Sequence, residues 1–322
     1  VSIILTAILG LVTAFSPNFL TLLFLRALLG IFIAGVPSLA MAYVGEEFNP
    51  RGIGKIMGLY ISGTSLGGMA GRILTGILTD LFSWRMALVI IGLISLILSI
   101  IFIYTLPAPH QFKKKPLHWS SSLQAYKKVV AKKRLMALIF LAFLLMGSFV
   151  TLFNYIGFLL MEPPYNLSQT FIGFIFIANL CGTFSSVFMG RQADKYGNFP
   201  MLIISLGIFL AGVLITLFSP LMIKIVGIGI FTFGFFACHS IASAWIGEES
   251  DANKAQASSL YLLLYYLGSS FVGSFGGYFW THFHWGGVIS LVTVLLVTAF
   301  PLIIFAQKKQ QVASQYRQIS NR

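Results

Sequence analysis

The sequence predicts an all-α membrane protein that crosses the bilayer many times and consists of two similar helical halves. Apolar residues make up 57% of its 322 residues and charged residues only 9%, and the mean hydropathy is +0.90. Soluble chains carry roughly a quarter charged residues, so this composition excludes a soluble domain. Apolar runs near the ~20 residues that cross a hydrocarbon core recur along the chain.

The two halves are indicated by short motifs that occur twice. The tripeptide Gly-Glu-Glu at 45–47 recurs at 247–249, and Phe-Ser-Pro at 15–17 recurs at 218–220. Both separations are close to about two hundred residues. A constant separation indicates that one structural unit is present in two copies.

Hydropathy and turn residues predict ten membrane spans, four before and six after a basic segment. The spans are 1–15, 19–44, 53–79, 84–106, 135–161, 168–189, 199–218, 221–246, 255–281 and 284–306. With a separation of about two hundred residues, the counterpart of 135–198 in the first copy falls before residue 1. The two copies should also contain equal numbers of spans, whereas four and six are predicted. We therefore expect an N-terminally truncated chain that lacks about two helices, with a natural ten-helix protein as the alternative.

The basic segment 107–134 is predicted to be a cytoplasmic linker between an N-terminal half, 1–106, and a C-terminal half, 135–306. Lys and Arg concentrate in this linker, in the short loops on the same side and in the tail 307–322. The positive-inside rule therefore places the linker and the tail in the cytoplasm. Part of the linker is expected to form an amphipathic helix on the membrane surface. The net charge of +13 reflects these segments, so nucleic-acid binding is not expected.

The loop after the second span of the C-terminal half reads GRQADKYG, from Gly190 to Gly197. The two glycines allow a tight turn between closely packed helices. Asp194 can cap a helix N-terminus or pair with a base such as Arg191 or Lys195. The segment resembles the G-x-x-x-D-[RK]-x-G cytoplasmic loop of the major facilitator superfamily, where this loop helps to set the conformational equilibrium.

The resemblance implies the fold of that family, with two pseudo-symmetric halves of six helices each. The chain would contain about ten of the twelve helices, and its N-terminal half would hold helices three to six. Such folds place the substrate near the midplane between the halves, which rock in alternating access.

A second resemblance lies at Arg26, in the segment LRALLG. Drug–proton antiporters of the family carry R-x-x-Q-G in their fourth helix, and Leu29 replaces the Gln here. A guanidinium inside hydrocarbon is expensive and usually has an interior partner or a wet cavity. The resemblance implies a role for Arg26 in proton coupling. The alternative is an arginine that extends toward the headgroups.

A third resemblance is carried by Gly63, Gly67 and Gly71. They match the G-x-x-x-G-P-x-x-G-G signature of the antiporters' fifth helix, although Gly68 replaces the Pro and Arg72 replaces the last Gly. The spacing of four residues places the three glycines in one stripe, which predicts close packing of a neighbouring helix.

The two intramembrane arginines, Arg26 and Arg72, are predicted to lie at similar depth. Two unpaired cations at one level are costly. An acid on the absent helices neutralises them, or they bind an anionic substrate. We expect them to mark the coupling or substrate region of the N-terminal half. Asp80, near the end of its span, is expected to meet Arg85.

In the C-terminal half the substrate and coupling candidates are Asn154 and Tyr155 in the span 135–161 and His239 in the span 221–246. A histidine inside a span can titrate near neutral pH. The alternative for His239 is a structural hydrogen bond to a neighbouring helix.

The repeated Gly-Glu-Glu motif is predicted to form gating contacts at the cytoplasmic surface, with Arg51 and Lys254 as partners. Solvated helix ends are the alternative. The acidic residues concerned are Glu46, Glu47, Glu248 and Glu249.

No feature of the sequence indicates an enzyme. There is no P-loop, no His/Cys/carboxylate cluster has metal spacing, and Cys181 and Cys238 lie in apolar segments. No cofactor or metal is expected.

The chain resembles the drug–proton antiporter and arabinose-efflux-permease-like groups of bacteria over essentially its whole length. The resemblance implies a transporter of the plasma membrane that exports a small organic solute in exchange for protons. A monomer is expected, because nothing in the spans demands a partner. Its expected partners are that solute, protons and the lipid bilayer. Nutrient uptake, facilitated diffusion and a non-transporting sensor or truncated product are the alternatives.

Overall fold

The computed structural model describes residues 2–47, 53–107, 119–250 and 253–307, and these ranges fold into α-helices joined by short turns. The helices are α1 (Ser2–Thr13), α2 (Phe19–Glu47), α3 (Ile53–Leu81), α4 (Trp84–Thr105), α5 (Trp119–Ala131), α6 (Lys133–Met161), α7 (Gln169–Ile175), α8 (Ala178–Tyr196), α9 (Asn198–Ile215), α10 (Leu221–Glu249) and α11 (Lys254–Gln307).

The helices follow the predicted spans within a few residues at most ends. Six described segments are long and apolar enough to cross a membrane: α4, α6, Gln169–Tyr196, α9, α10 and α11. Backbone groups inside a bilayer must hydrogen-bond internally, which is why apolar runs of this length become helices. The all-α polytopic fold predicted from composition is therefore confirmed.

The predicted spans 255–281 and 284–306 correspond to the two helices within α11, which meet at a kink at His284 with non-helical backbone angles of φ 51° and ψ −147°. One other span differs from its prediction. The span 168–189 is longer than predicted and is interrupted after Ile175.

The chain forms two compact units. The first comprises Val1–Pro116 with Leu167–Phe176, and the second comprises Leu117–Asn166 with Ile177–Arg322. The two short helices, α5 and α7, belong to different units. Helix α5, in the predicted linker, belongs to the second unit, where Tyr126 and Ser259 share a hydrogen bond of 2.8 Å. Helix α7 belongs to the first unit.

In the first unit, α1 packs against α2 and α4, while α3 packs against α4 and α7. A Cβ atom added to Gly92 would lie 3.0 Å from Cα of Leu11, so the glycine permits the close approach of α4 to α1. Large apolar side chains such as Phe19 and Leu20 are about three-quarters exposed, at 73% and 76%. Exposed apolar surface of this extent suits contact with lipid.

In the second unit, α6 lies along α11 and α9 lies along α10. The core is rich in aromatic rings, and the ring centroids of Phe149 and Phe235 are 4.0 Å apart while those of Phe209 and Phe231 are 4.7 Å apart. Glycines stand at the crossings, because a Cβ at Gly268 would overlap the backbone of Phe143. Small residues at crossings are the usual means of close packing between membrane helices.

A buried lysine joins three turns of the second unit. Lys224 is only 2% exposed, and its Nζ donates to the Thr216 carbonyl at 2.6 Å. The same carbonyl accepts a hydrogen bond from Trp285 Nε1 at 3.0 Å. The rings of Tyr165 and Trp285 flank the ammonium group at 5.6 Å and 5.8 Å. Because the Thr216 carbonyl accepts two hydrogen bonds, it keeps one donor when either Lys224 or Trp285 is replaced.

This arrangement predicts non-additive mutations. We expect Lys224→Met and Trp285→Phe each to lower the free energy of unfolding by about 1 kcal/mol, because the Thr216 carbonyl keeps one donor. The double variant leaves that carbonyl without either donor, so its loss should exceed the sum by about 1–2 kcal/mol. Thermal unfolding of the four proteins in detergent measures the coupling, and strictly additive losses would contradict the shared-acceptor interpretation.

Candidate functional site

His239 lies inside the second unit, on the side of α10 that faces α11. Its Nδ1 shares a hydrogen bond of 2.8 Å with the hydroxyl of Tyr261. The rings of Tyr265 and Tyr261 lie 5.1 Å and 5.5 Å from the imidazole, and Phe235 stacks on it at 6.0 Å. The structural alternative considered for His239, a hydrogen bond to a neighbouring helix, is thus observed. Its role in proton coupling stays a prediction.

A small polar cavity of about 150 Å³ adjoins His239. Its lining residues are His239, Ser243, Ile246, Ser258, Tyr261 and Leu262. Ser243 lies in this lining together with Tyr261, so imidazole and hydroxyl groups converge here. A water molecule occupies about 30 Å³ of liquid and needs two to four polar partners, so this cavity accommodates a few waters. Two of the lining residues, Ile246 and Ser258, lie in the last turns of α10 and the first turns of α11.

Asn154 and Tyr155 face α11 elsewhere along that helix. Tyr155 donates its hydroxyl proton to the Gly273 carbonyl at 3.0 Å, and its ring fills the space beside Gly276. Asn154 Nδ2 lies 3.3 Å from where a Cβ of Gly273 would be. Gly273 and Tyr261 are separated by roughly 18 Å along the helix axis at 1.5 Å per residue. The predicted residues of the C-terminal half therefore form two separate groups, not one.

Arg26 lines a larger cavity, of about 340 Å³, in the first unit. The hydroxyls of Thr6, Ser95 and Ser99 and the side chains of α1, α2 and α4 complete a lining that is otherwise apolar. Within the described residues, Thr6 Oγ1 is buried without a hydrogen-bond partner. One cation with a few hydroxyls in an apolar cavity is chemically suited to an anionic or polarised group.

Arg72 has different surroundings from Arg26. Its guanidinium lies 4.3 Å from the ring centroid of Phe176, a cation–π geometry, and it is not part of the lining of the Arg26 cavity. The structure therefore gives the two arginines separate environments. Their joint role in coupling stays a prediction.

Asp80 does not pair with Arg85 as the sequence led us to expect. Its Oδ1 accepts a hydrogen bond from the backbone N–H of Gln169 at 3.0 Å, and its Oδ2 accepts one from Thr170 at 2.6 Å. Arg85 donates to the Ser16 carbonyl at 3.2 Å and lies over Trp84 at 4.2 Å. The prediction was wrong because it paired Asp80 with a residue that is near in sequence. The N–H groups that bind Asp80 belong to α7, which only the tertiary fold brings near.

The glycine stripe on α3 is not covered by a described helix. A Cβ added to Gly63, Gly67 or Gly71 would have nothing within 4 Å among the described residues. The close glycine contact on α3 is one turn farther on, at Gly76, where a Cβ would overlap the Gln169 carbonyl. Close packing at the stripe itself stays a prediction.

The GRQADKYG loop makes the predicted tight turn at one of its two glycines. Gly197 has φ +95° between α8 and α9, a conformation that L side chains rarely adopt. Gly190 lies inside α8, and Asp194 and Arg191 are exposed. Lys195 lies 4.9 Å from the ring of Tyr196.

The second Gly-Glu-Glu motif contacts two other segments of the second unit. Glu248 Oε2 accepts a hydrogen bond from Asn198 Nδ2 at 2.8 Å, directly after the GRQADKYG loop. The Glu249 carbonyl accepts one from Lys132 Nζ at 3.5 Å. The predicted gating partner Lys254 is replaced in these contacts by Asn198 and Lys132. In the first motif, the side chains of Glu46 and Glu47 and all of Arg51 lie outside the described residues.

Two residues beside His239, Tyr261 and Ser243, were not predicted from the sequence. A hydroxyl one turn from His239 on the same helix face was a usable signal for Ser243. Tyr261 gave no such signal, because its partner His239 lies on another helix. Among the described residues, no group of three or more His, Cys, Asp and Glu could hold a metal ion.

Comparison with known proteins shows which family this chain resembles. A model described as the Major Facilitator Superfamily matches residues 1–178 and 149–317. The chain is 46% identical over 299 residues to an uncharacterised MFS-type transporter YybF of Bacillus subtilis, covering 93% of this chain and 74% of the relative. It is 42% identical over 298 residues to the inner membrane transport protein YnfM of Escherichia coli, covering 92% and 72%.

More distant similarities exist to a drug pump and to a solved structure. The multi-drug resistance efflux pump PmrA of Streptococcus pneumoniae is 26% identical over 204 residues, covering 60% of this chain and 48% of the pump. The crystal structure of a bacterial homologue of the human lysosomal transporter Spinster, inward-facing and occupied, aligns with a TM-score of 0.74. That alignment covers 95% of this chain and 81% of the other at 16% identity, so it supports the fold alone.

Proposed function

We propose that this chain, which belongs to the Major Facilitator Superfamily, exports a small organic solute across the bacterial inner membrane in exchange for protons. It is a membrane transporter by its relatives, and the proposal concerns direction, coupling and site. The observation that supports proton coupling best is the hydrogen bond between His239 and Tyr261 beside a polar cavity.

The hydrogen bond between these residues depends on the protonation state of the imidazole. When Nδ1 carries no proton, the Tyr261 hydroxyl donates to it; when the imidazole is charged, Nδ1–H donates and the hydroxyl oxygen accepts. Proton binding therefore reverses the donor and acceptor, and the Tyr261 proton turns toward Ser243 or the cavity. Because His239 is on α10 and Tyr261 on α11, proton binding changes a contact between two helices.

Water in the cavity supplies the route for that proton. The hydroxyls of Ser243, Ser258 and Tyr261 line the cavity beside the imidazole, and Ser258 lies near the end of α11 that follows α10 in the chain. A histidine in this setting can exchange protons without opening the helix pair. By the positive-inside rule this end faces the cytoplasm.

Export is favoured over uptake by two observations. Arg26 resembles the coupling arginine of drug–proton antiporters, and a distant relative is named a multi-drug resistance efflux pump. The Arg26 cavity of the first unit has a largely apolar lining with one cation and three hydroxyl-bearing residues, which suits an amphipathic solute. We expect the protein to act as a monomer.

The test uses the complete protein in proteoliposomes with the pH dye pyranine trapped in the lumen. A panel of labelled sugars, organic acids and cationic dyes is offered with and without an imposed pH gradient. We expect at least one solute to move against its own gradient when protons flow the other way. Transport at the same rate without a pH gradient, or movement in the same direction as protons, would rule out antiport. No transport of any solute would favour a sensor.

A further inference from the structure

Helix α7 packs in a different unit from the helices that precede and follow it in the chain. Before it, Tyr165 donates its hydroxyl proton to the Ser219 carbonyl at 2.5 Å, inside the second unit. After it, α8 packs against α10, also in the second unit. Leu167–Phe176 lies in the first unit, against α3. The chain therefore changes unit twice within about a dozen residues.

Asp80 binds the beginning of α7 with both carboxylate oxygens. The first N–H groups of a helix have no intrahelical partner, and a side-chain oxygen usually satisfies them from the adjoining residue. Here Asp80 accepts from the consecutive N–H groups of Gln169 and Thr170 at 3.0 Å and 2.6 Å. The cap is thus supplied by α3 and ties two helices together.

Further along, the two helices approach at backbone distance. A Cβ added to Gly173 would lie 3.1 Å from the Arg72 carbonyl oxygen and from Cα of Ile73, and a Cβ at Gly76 would overlap Gln169. Phe176 then lies beneath the Arg72 guanidinium at 4.3 Å. Asp80, Gly76 and Arg72 are one turn apart on α3, so the contact follows one face of that helix.

The helix is interrupted where this contact ends. Phe176 N–H donates to the Gly173 carbonyl at 3.2 Å, and Leu180 N–H donates to the Ile177 carbonyl at 2.9 Å. These bonds span three residues instead of four, and a short 3₁₀ stretch inside a helix often marks a hinge. Residues 174–180 read FIFIANL, without Gly or Pro. Interruptions of a helix normally have such a cause in the sequence, so we attribute this one to the contacts of α7 with α3.

We propose that Asp80 is a positioning residue that holds α7 on α3 and thereby makes residues 176–177 a hinge of the transport cycle. The inference rests on the proposed transport function. While Asp80 caps α7, the segment Gln169–Tyr196 is interrupted at residues 176–177 and its first part stays on α3. When the cap is released, the segment has no sequence barrier to becoming one uninterrupted helix.

Protons do not release this cap near neutral pH. Hydrogen bonds from Thr170, Ser168 and Gln169 lower the pKa of Asp80, which lies at the very end of α3, below its usual value. Because the pKa of Asp80 is lowered, its carboxylate caps α7 fully at any pH above the pKa of an ordinary carboxyl group. The cap is lost only when the pH falls through the lowered pKa of Asp80. Helix α7 contributes no titratable group, and Arg85 of α4 is engaged with Ser16 and Trp84. The cap is therefore a constant feature, opened by helix movement.

The first experiment measures the cap itself. Backbone hydrogen exchange is followed in the complete protein in lipid nanodiscs for wild type, Asp80→Ala, Asp80→Asn and the control Glu162→Gln. Glu162 is an acid in the loop before α7 that contributes only its backbone carbonyl to that loop's hydrogen bonds. We expect residues 169–170 to exchange about five- to tenfold faster in Asp80→Ala, less so in Asp80→Asn, and at the wild-type rate in Glu162→Gln. Unchanged exchange in Asp80→Ala would overturn the proposal.

The second experiment measures the hinge. Solute counterflow is compared in proteoliposomes of the same variants, together with solute binding. We expect Asp80→Ala to slow counterflow about fivefold or more with unchanged binding, because only the conformational step depends on the cap. If Asp80→Ala shows faster hydrogen exchange at residues 169–170 but unchanged solute counterflow, Asp80 is only a structural cap. That result would overturn its role in the transport cycle. A wild-type protein that moves no solute contradicts the proposed function instead, and leaves the exchange result standing.

Discussion

Replacing Gly234 with leucine is expected to force α9 and α10 apart and to unfold the second unit. A Cβ at Gly234 would lie 2.5 Å from Cα of Phe209 and 2.7 Å from its Cβ. The obstacle is largely backbone, so no rotamer change on either helix relieves it. Separation of the helices also breaks the ring contacts of Phe209 with Phe231 and Phe235, at 4.7 Å and 5.8 Å.

The expected decrease in the free energy of unfolding is large for a single substitution. Overpacking a well-packed core costs about 1–3 kcal/mol and occasionally more, and an obstacle made of backbone is the unfavourable case. We therefore expect Gly234→Leu to lose at least about 3 kcal/mol, and even Gly234→Ala to be clearly destabilised. Thermal unfolding in detergent, read by size-exclusion chromatography, measures both variants.

The same helix supplies the control. Gly229 also lies on α10, and a Cβ there would meet nothing within 4 Å among the described residues. Gly229→Leu should stay within about 0.5 kcal/mol of wild type, and Gly229→Ala should be slightly more stable because glycine is a poor helix former. Equal losses at the two positions would show that backbone contact does not determine the effect.

Replacing His239 with alanine is expected to uncouple solute movement from the proton gradient. The variant lacks the group that binds the proton, so uphill transport driven by a pH gradient should fall to the rate of passive exchange. Solute counterflow without a gradient should persist, because that reaction needs no proton. The measurement compares the two modes in the same proteoliposomes.

Two further variants make this test specific. Tyr261→Phe keeps the ring and removes the hydroxyl that meets His239 Nδ1 in both protonation states. A hydrogen bond to the charged imidazole is worth about 1 kcal/mol more than one to the neutral ring, which corresponds to about a fivefold change in proton binding. We expect the variant to shift the pH dependence of uphill transport by roughly 0.7 unit. His282→Ala, on the exposed end of the same helix pair, should behave as wild type. Full proton-driven transport by His239→Ala would exclude His239 as the coupling group.

Features that depend on residues near in sequence were predicted correctly, and features that depend on residues distant in sequence were not. The span 221–246 was predicted within three residues of α10, because apolar length and turn residues are local. The interruption after Ile175 was not predicted, since FIFIANL favours an unbroken helix and the contacts with α3 are not visible in the sequence. Asp80 was assigned to Arg85 because the two are near in sequence, whereas its actual partners are 89 and 90 residues away.

The candidate site shows the same division. A polar residue in an apolar span is visible in the sequence, so His239, Arg26 and Arg72 were all found. The surroundings of these residues were not predicted, because they come from other helices. They are Tyr261 beside His239, the cavity lining beside Arg26 and the Phe176 ring beside Arg72.

The amino-acid sequence by itself determined that this chain is helical, lies in a membrane, is duplicated and belongs to a family of transporters. Hydrocarbon imposes that result, because every backbone polar group inside it must bond within its own helix. Only the tertiary structure decided which helices touch and which polar groups meet. Those choices depend on whether backbones can approach at residues such as Gly234, Gly268 and Gly76, since in lipid it is close packing that selects one helix neighbour over another.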